Sequence, residues 1–145
     1  MTPAAGFGYN YLEIYGRSRL KEEKARLDAQ NRVYDRIAEA LYPKQKRIEE
    51  LLGDAKPDTE SFRKALGICC VLNAWSKRKS NLLLLSEETL PKRNRELFLA
   101  LQESARSLKC CGVAAAAVGE EYSGLPLAKI HELYDAFETV LEAWL

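Results

Sequence analysis

A strict seven-residue repeat of apolar side chains runs through the first third of this 145-residue chain. Five apolar residues follow the interval and two more occupy its companion position: Leu20, Leu27, Tyr34, Leu41 and Ile48, then Ile37 and Leu51. Apolar residues in heptad register predict one long α-helix with a narrow apolar seam, as in a coiled coil or a helical bundle. The residues between the seam positions are charged and of both signs, which suits the solvated flank of a helix. The repeat therefore predicts a mainly α protein.

Pro43 lies inside this helical pattern. Proline lacks a backbone N–H and crowds the preceding turn, so we expect a bend there that serves as a hinge. The apolar pattern resumes at Ile48, which favours a bend over a stop. Gly53 is expected to end the helix, and Asp58 or Thr59 is expected to cap the next one.

A second amphipathic helix is predicted after this connection, extending to about residue 84. A short connection between two amphipathic helices predicts an antiparallel hairpin. Two helices do not enclose a core by themselves, so we expect a homodimer that closes a four-helix bundle. The expected dimer interface combines the seam of the first helix with the apolar stripe of the second: Leu20, Leu27, Tyr34, Ile37, Leu41, Ile48, Leu51, Phe62, Leu66, Cys69 and Leu72.

The second half of the chain is organised differently. A third helix is expected to begin at Pro91 and to end at Cys110-Cys111-Gly112, and a final helix is expected to begin at Leu125-Pro126. Between them, residues 113–118 are compatible with a helix, because four of them are alanines, or with a short strand, because glycines flank them.

These elements divide the chain at residue 85. Residues 1–85 are predicted to form a hairpin dimerisation domain, whose first eleven residues are either disordered or the remnant of an upstream segment. Residues 86–145 are predicted to form a partial α/β segment in the order helix, strand, helix.

Charge and hydropathy exclude two classes of protein. Lys and Arg number 22 against 21 Asp and Glu, so the net charge of +1 offers no global attraction for nucleic acid. The apolar runs include residues 82–85 and 113–118, and none is longer than the six residues of 113–118, far shorter than the roughly 20 residues of a membrane span. The first thirty residues lack the order of segments found in a signal peptide. We therefore expect a cytoplasmic chain without a membrane span.

The residue types that carry most enzyme chemistry are sparse or poorly placed. The four cysteines form two adjacent pairs, at residues 69–70 and 110–111, and neighbouring helical positions point in different directions. We expect reduced cysteines packed as small hydrophobes and no metal, since a zinc site would need all four thiolates. His131 is the only histidine and is expected on a helix surface, as is the basic triplet at residues 77–79. No cofactor is expected.

Two segments carry a resemblance to a known family. Ala38-Glu39 is followed after three residues by Pro43, and residues 138–143 read Glu-Thr-Val-Leu-Glu-Ala. The first segment resembles the phosphoacceptor box of bacterial sensor histidine kinases, which often reads His-Glu, three residues, Pro. The second is similar to the motif Glu-Ala-Leu-x-Asn-Ala, whose asparagine binds magnesium in the GHKL-type ATPase domain of that family. The resemblance covers residues 20–145.

The departures from the family bear on activity. The resemblance places Ala38 at the phosphoacceptor position, where a methyl group accepts no phosphoryl group, and Glu142 at the position of the magnesium-binding asparagine. The glycine-rich boxes that hold the nucleotide in the family are absent from residues 1–145. The resemblance thus implies an inactive, degenerate or truncated kinase-like chain, and catalysis would require an ATP-binding portion in a longer gene product.

These observations predict a signal-transduction dimerisation module without independent catalysis. The expected partners are a second copy of the chain and, through the resemblance, a response regulator or an upstream sensor segment. The resemblance also allows the cytoplasmic part of a membrane-anchored sensor. The alternative is a stand-alone helical adaptor that binds another protein through the outer face of the hairpin.

Overall fold

The computed structural model describes the backbone of residues 4–85, 90–120 and 124–145 and the side chains of residues 10–85, 94–120 and 124–145. Within these ranges the protein is mainly helical and contains no β-strand. The helices are α1 (Ala4–Asp54), α2 (Glu60–Leu83), α3 (Leu90–Ser107) and α4 (Leu127–Ala143), with a short 3₁₀ turn at Leu108–Cys111 after α3. The mainly α prediction is therefore confirmed.

Local sequence signals place the helix ends well. α1 continues through Pro43, as expected of a bend rather than a stop, and ends at Asp54, one residue after Gly53. The hydroxyl of Thr59 caps α2 by accepting a hydrogen bond from the backbone N–H of Phe62 at 3.2 Å. This cap satisfies one of the donors that the first turn of a helix leaves unpaired.

The chain divides into two compact units, residues 1–36 and 37–145. The first unit consists of the N-terminal part of α1, and nearly all of its described side chains are exposed. Residues 4–11 are helical, and residues 1–3 lie outside the described ranges.

The second unit holds the apolar core, to which four helical segments contribute. The main cluster comprises buried residues of α2, α3 and α4 together with half-buried side chains around them: Trp75, Leu82, Leu97, Ala100, Ile130 and Tyr134, then Leu41, Leu85, Leu101 and Leu125. The rings of Trp75 and Tyr134 stack with their centroids 6.5 Å apart and their planes 3° from parallel. The Tyr134 hydroxyl shares a 2.8 Å hydrogen bond with the Ser104 hydroxyl, so the buried phenol is satisfied.

This core corrects part of the expected dimer interface. Cys69 is 6% exposed and Leu72 is 0% exposed within a single chain, so both are unavailable to a partner. The hairpin prediction assumed that α2 had only α1 to pack against, but α3 and α4 of the same chain cover it. On the remainder of the stripe, Phe62 is half-buried and Leu66 is exposed.

The segment between the 3₁₀ turn and α4 differs from both alternatives that the sequence left open. Residues 113–120 form neither a helix nor a strand, so the structure does not support the helix-strand-helix order. Gly112 stops the preceding turn with a left-handed φ of 76°. Val113 and Ala115 then pack against a second cluster, formed by residues of α2, the 3₁₀ turn and α4: Val71, Leu108 and Leu141. These contacts cover part of the apolar segment without strand pairing.

Gly67 marks the closest approach between α2 and the 3₁₀ turn. A Cβ atom at this position would lie 2.6 Å from the carbonyl oxygen of Cys110 and 3.2 Å from the Sγ atom of Cys111. Real side chains essentially never approach a backbone oxygen this closely. Glycine is therefore required by packing, and this requirement is invisible in the heptad pattern.

Gly67→Ala is accordingly expected to lower the free energy of unfolding by about 1–2 kcal/mol, because the methyl group forces α2 away from the turn. Gly53→Ala is the matched control, since a Cβ at Gly53 meets no atom within 4 Å. This control should be neutral, or stabilising by up to about 1 kcal/mol through helix propensity. Chemical denaturation of both variants measures the difference, and equal stabilities would contradict the close approach.

Candidate functional site

Three apolar side chains of the heptad repeat lie on the surface of the first unit. Leu20, Leu27 and Tyr34, hereafter the α1 seam, are 72%, 43% and 56% exposed. Seven-residue spacing keeps them on one narrow face of the helix. The Tyr34 hydroxyl accepts a 3.2 Å hydrogen bond from the amide of Gln30 one turn earlier. The α1 seam is thus an apolar stripe with a polar layer inside it.

Charged side chains of this helix form local ion pairs with one another. Arg26 contacts Glu23 at 2.7 Å, and Arg17 contacts Glu13 at 2.7 Å, both within α1. The hydrogen bond from Arg26, reinforced by its charge, lowers the pKa of the Glu23 carboxyl. These pairs are exposed and contribute little to stability. Glu23 occupies the companion position of the repeat, three residues after Leu20, so one of these charged pairs lies beside the α1 seam.

The other members of the repeat belong to the second unit and have a different environment. Ile37, Leu41, Ile48 and Leu51 are half-buried, and Leu41 packs against the main apolar cluster. The sequence assigned all seven seam residues one role in a dimer interface. The structure separates four half-buried residues, of which Leu41 packs against the core, from three whose apolar surface has no cover within the described residues.

A charged cluster lies within the second unit, where α1, α2 and α4 meet. It comprises Lys44 of α1, Lys79 of α2, and three acidic residues of α4 spaced three and four apart: Asp135, Glu138 and Glu142. This spacing puts the three carboxylates on one face of α4. All of these cluster residues except Glu142, together with Trp75 and neighbouring residues, line a cavity of about 270 Å³.

Lys79 is the buried cation of this cluster. Its residue is 6% exposed, and its Nζ atom donates to both carboxylate oxygens of Asp135, at 2.8 and 3.0 Å. The same ammonium lies 3.2 Å from Nδ1 of His131. A buried charge is tolerated when it is paired and hydrogen-bonded, and Lys79 meets both conditions. The expectation of a solvated basic triplet is thus wrong for this residue.

Lys44 links α1 to α4 through an ion pair. Its ammonium bonds the Glu142 carboxylate and lies 5.1 Å from the ring centroid of Trp75, within cation–π range. Burial lowers the pKa of Lys44, and the charge of Glu138 partly opposes this shift. Lys44 is therefore held by one carboxylate while a second lies close enough to act on its charge.

Glu138 is the exceptional member of the cluster. It is 2% exposed, and both of its carboxylate oxygens lack a hydrogen-bond partner among the described residues. Burial raises the pKa of Glu138 to about 7, Lys44 pulls it down, and Asp135 pushes it further up. Around neutral pH this carboxyl gains and loses a proton. Neighbouring Tyr134 shows the same effect of burial, which raises the pKa of its phenol.

The chemistry available to the cluster is proton exchange and charge pairing. Within the described residues no group of three or more His, Cys, Asp or Glu side chains is arranged to hold a metal ion. The hydroxyl of Thr139, which also lines the cavity, donates to the backbone carbonyl of Asp135 at 2.9 Å. Its geometry supports a pH-responsive packing site.

The residues singled out by the kinase resemblance are dispersed. Ala38 is exposed on α1, whereas Glu142 is half-buried and its carboxylate is occupied by Lys44. Sequence reasoning missed Lys79, Asp135 and Glu138. The only available signal was the acidic spacing on α4 beside its apolar stripe, and such spacing more often marks a solvated face.

Comparison with known proteins gives no relative from which a role could be transferred. No family model, no curated protein and no solved structure matches this chain. In the ranges that the structure describes, no helix combines the length and hydropathy needed to cross a bilayer.

Proposed function

We propose that this protein is a non-catalytic interaction module that self-associates through the α1 seam. The observation that carries the proposal is the exposure of Leu20, Leu27 and Tyr34 at strict heptad spacing. Burial of apolar side chains against a partner removes their contact with water, which is the main driving force of association.

A second copy of the same helix is the partner that the spacing favours. In a parallel symmetric pair, each seam residue meets its own counterpart, so Leu20, Leu27 and Tyr34 form successive apolar layers. Gln30 lies between the last two layers and is already oriented by Tyr34. A polar layer of this kind selects one register at some cost in stability.

Signal relay through this dimer is the role suggested by the resemblance of residues 20–145 to sensor histidine kinases. In that role residues 37–145 form the folded body and residues 10–36 the dimerising helix. Phosphoryl transfer is not part of the proposal, because Ala38 supplies no acceptor atom and Glu142 is engaged by Lys44. Recognition by a response regulator would then rest on surface contacts alone.

The mass of the chain in solution tests self-association. Light scattering across a concentration series is expected to show twice the 16.4 kDa monomer mass at high micromolar concentration. Leu20→Asp combined with Leu27→Asp should return the monomer, because four carboxylates would meet across the interface.

A matched control places the same charge on the opposite face of α1. Ala25 and Ala29 are exposed and lie roughly half a turn away from the α1 seam, so the double change of both to Asp should leave the dimer intact. A wild-type chain that stays monomeric overturns the proposal. In that case, binding of another protein through the outer face of the hairpin would support the adaptor alternative.

A further inference from the structure

The four cysteines differ in environment although they occur as two similar pairs. Cys69 is buried and Cys111 is half-buried, whereas Cys70 and Cys110 are exposed. All four lie in described parts of the chain and none is in a disulfide. The expectation that all four pack as small hydrophobes therefore fails for the two exposed residues.

The close approach at Gly67 brings the two exposed thiols together. Cys70 follows Gly67 by three residues on α2, and so lies on nearly the same face of the helix. Gly67 lies against the backbone of Cys110 in the 3₁₀ turn. Both thiols are therefore carried by segments that are in contact, and the Cys110 thiol is close enough to help raise the pKa of the Cys70 thiol.

We propose that Cys70 and Cys110 are a modification site that forms a reversible disulfide between α2 and the 3₁₀ turn. Both thiols are exposed, and the α2 helix and 3₁₀ turn that carry them meet at Gly67, which is the proximity that such a bridge first requires. Adjacent cysteines within one pair are unsuited, because successive helical side chains point in different directions.

The oxidant in this proposal is a low-molecular-weight disulfide such as oxidised glutathione. One protein thiolate attacks it, forming a mixed disulfide and releasing one small thiol. The second protein thiolate then attacks the protein sulfur of the mixed disulfide and releases the other small thiol. Two protein thiols are oxidised, one small disulfide is reduced to two thiols, and the protons lost by the protein are taken up by the products.

The surroundings of Cys70 influence the rate of this exchange. Burial, and then the neighbouring Cys110 thiol, raise the pKa of Cys70. Because the thiolate is the attacking species, exchange should accelerate as the pH rises above neutrality. The completed bridge would tie α2 to the end of α3 and close a loop containing residues 71–109.

Intact-mass measurement after incubation with oxidised glutathione tests the proposal. The wild-type chain should lose two hydrogen atoms, and peptide mapping should find Cys70 joined to Cys110. The oxidised chain should melt about 5 °C higher than the reduced chain, because the closed loop restricts the unfolded state. Reduction with dithiothreitol should reverse both changes.

Single serine variants separate the proposed pair from its neighbours. Cys70→Ser and Cys110→Ser should each prevent the internal bridge and leave one glutathione adduct on the remaining exposed thiol. Cys111→Ser is the control and should form the bridge as wild type does. Both informative substitutions are at exposed positions, and circular dichroism confirms that each variant is folded. Separate adducts on Cys70 and Cys110 of the wild-type chain, or a bridge involving Cys69 or Cys111, would overturn the proposal.

Discussion

Glu138→Gln is expected to stabilise the protein by about 3 kcal/mol at pH 8 and by almost nothing at pH 4. The side chain is 2% exposed, and its two oxygens have no hydrogen-bond partner among the described residues. Ionisation of this carboxyl therefore costs more in the folded protein than in the unfolded chain. Glutamine keeps the shape of the side chain and removes the charge.

The sign of the pH dependence follows from the raised pKa. Between about pH 4.5 and pH 7 the folded protein holds a proton on Glu138 that the unfolded chain has already lost. Stability contributed by this residue therefore falls as the pH rises through that window and is constant above it. The charge of Lys44 on α1 lowers the pKa of Glu138, and the charge of Asp135 on α4 raises it. The ammonium of Lys79 on α2 is hydrogen-bonded to Asp135.

Urea denaturation of wild type and variant from pH 4 to pH 8 measures this prediction. The difference between the two chains isolates Glu138 from the other titrating groups. Glu132→Gln is the control on the same helix, because Glu132 is exposed and, among the described residues, forms an ion pair with nearby Lys129, and it should change stability by less than about 0.5 kcal/mol. A Glu138→Gln variant that is less stable than wild type at pH 8 would show that the charged carboxylate has a stabilising partner.

Pro43→Ala is expected to stabilise the second unit by about 2 kcal/mol. Proline in a helix interior costs about 3 kcal/mol, since its ring crowds the preceding turn and its nitrogen donates no hydrogen bond to Glu39. Part of the gain is lost because proline also restricts the unfolded chain. Pro43 is exposed, so its removal sacrifices little packing.

Hydrogen exchange shows whether Pro43 acts as a hinge. The amides of residues 44–47 should exchange more slowly in Pro43→Ala, because local opening of α1 becomes less favourable. Gln45→Ala, at an exposed neighbouring position, should leave both exchange and stability nearly unchanged. If Pro43→Ala destabilises the protein, the ring has a packing role and the hinge hypothesis fails.

Local signals were sufficient for most of the secondary structure. The heptad repeat predicted α1, Thr59 predicted the start of α2, and Gly112 predicted a stop before residue 113. Each of these depends on interactions within about one helical turn. The segment at residues 113–118 resisted prediction because alanine suits both a helix and an extended chain, and tertiary contacts of Val113 and Ala115 decided the outcome.

The periodicity of apolar residues does not identify which element packs against each apolar face. A stripe such as that of α2 shows that a face must be covered, but any helix of suitable shape can cover it. The sequence therefore suggested a second copy of the chain around Leu72, where α3 and α4 of the same chain provide the cover. For the α1 seam the same reasoning still holds as a proposal.

The sequence by itself determined that this protein is helical, where its helices begin and end, and which faces are apolar, because these properties arise from neighbouring residues. Only the tertiary structure decided that Lys79 is buried, that the Glu138 carboxylate has no hydrogen-bond partner among the described residues, and that α2 meets the backbone of Cys110 at Gly67. Those three results depend on distances between residues far apart in the chain. Burial and charge pairing are set by these distances, and spacing along the sequence does not encode them.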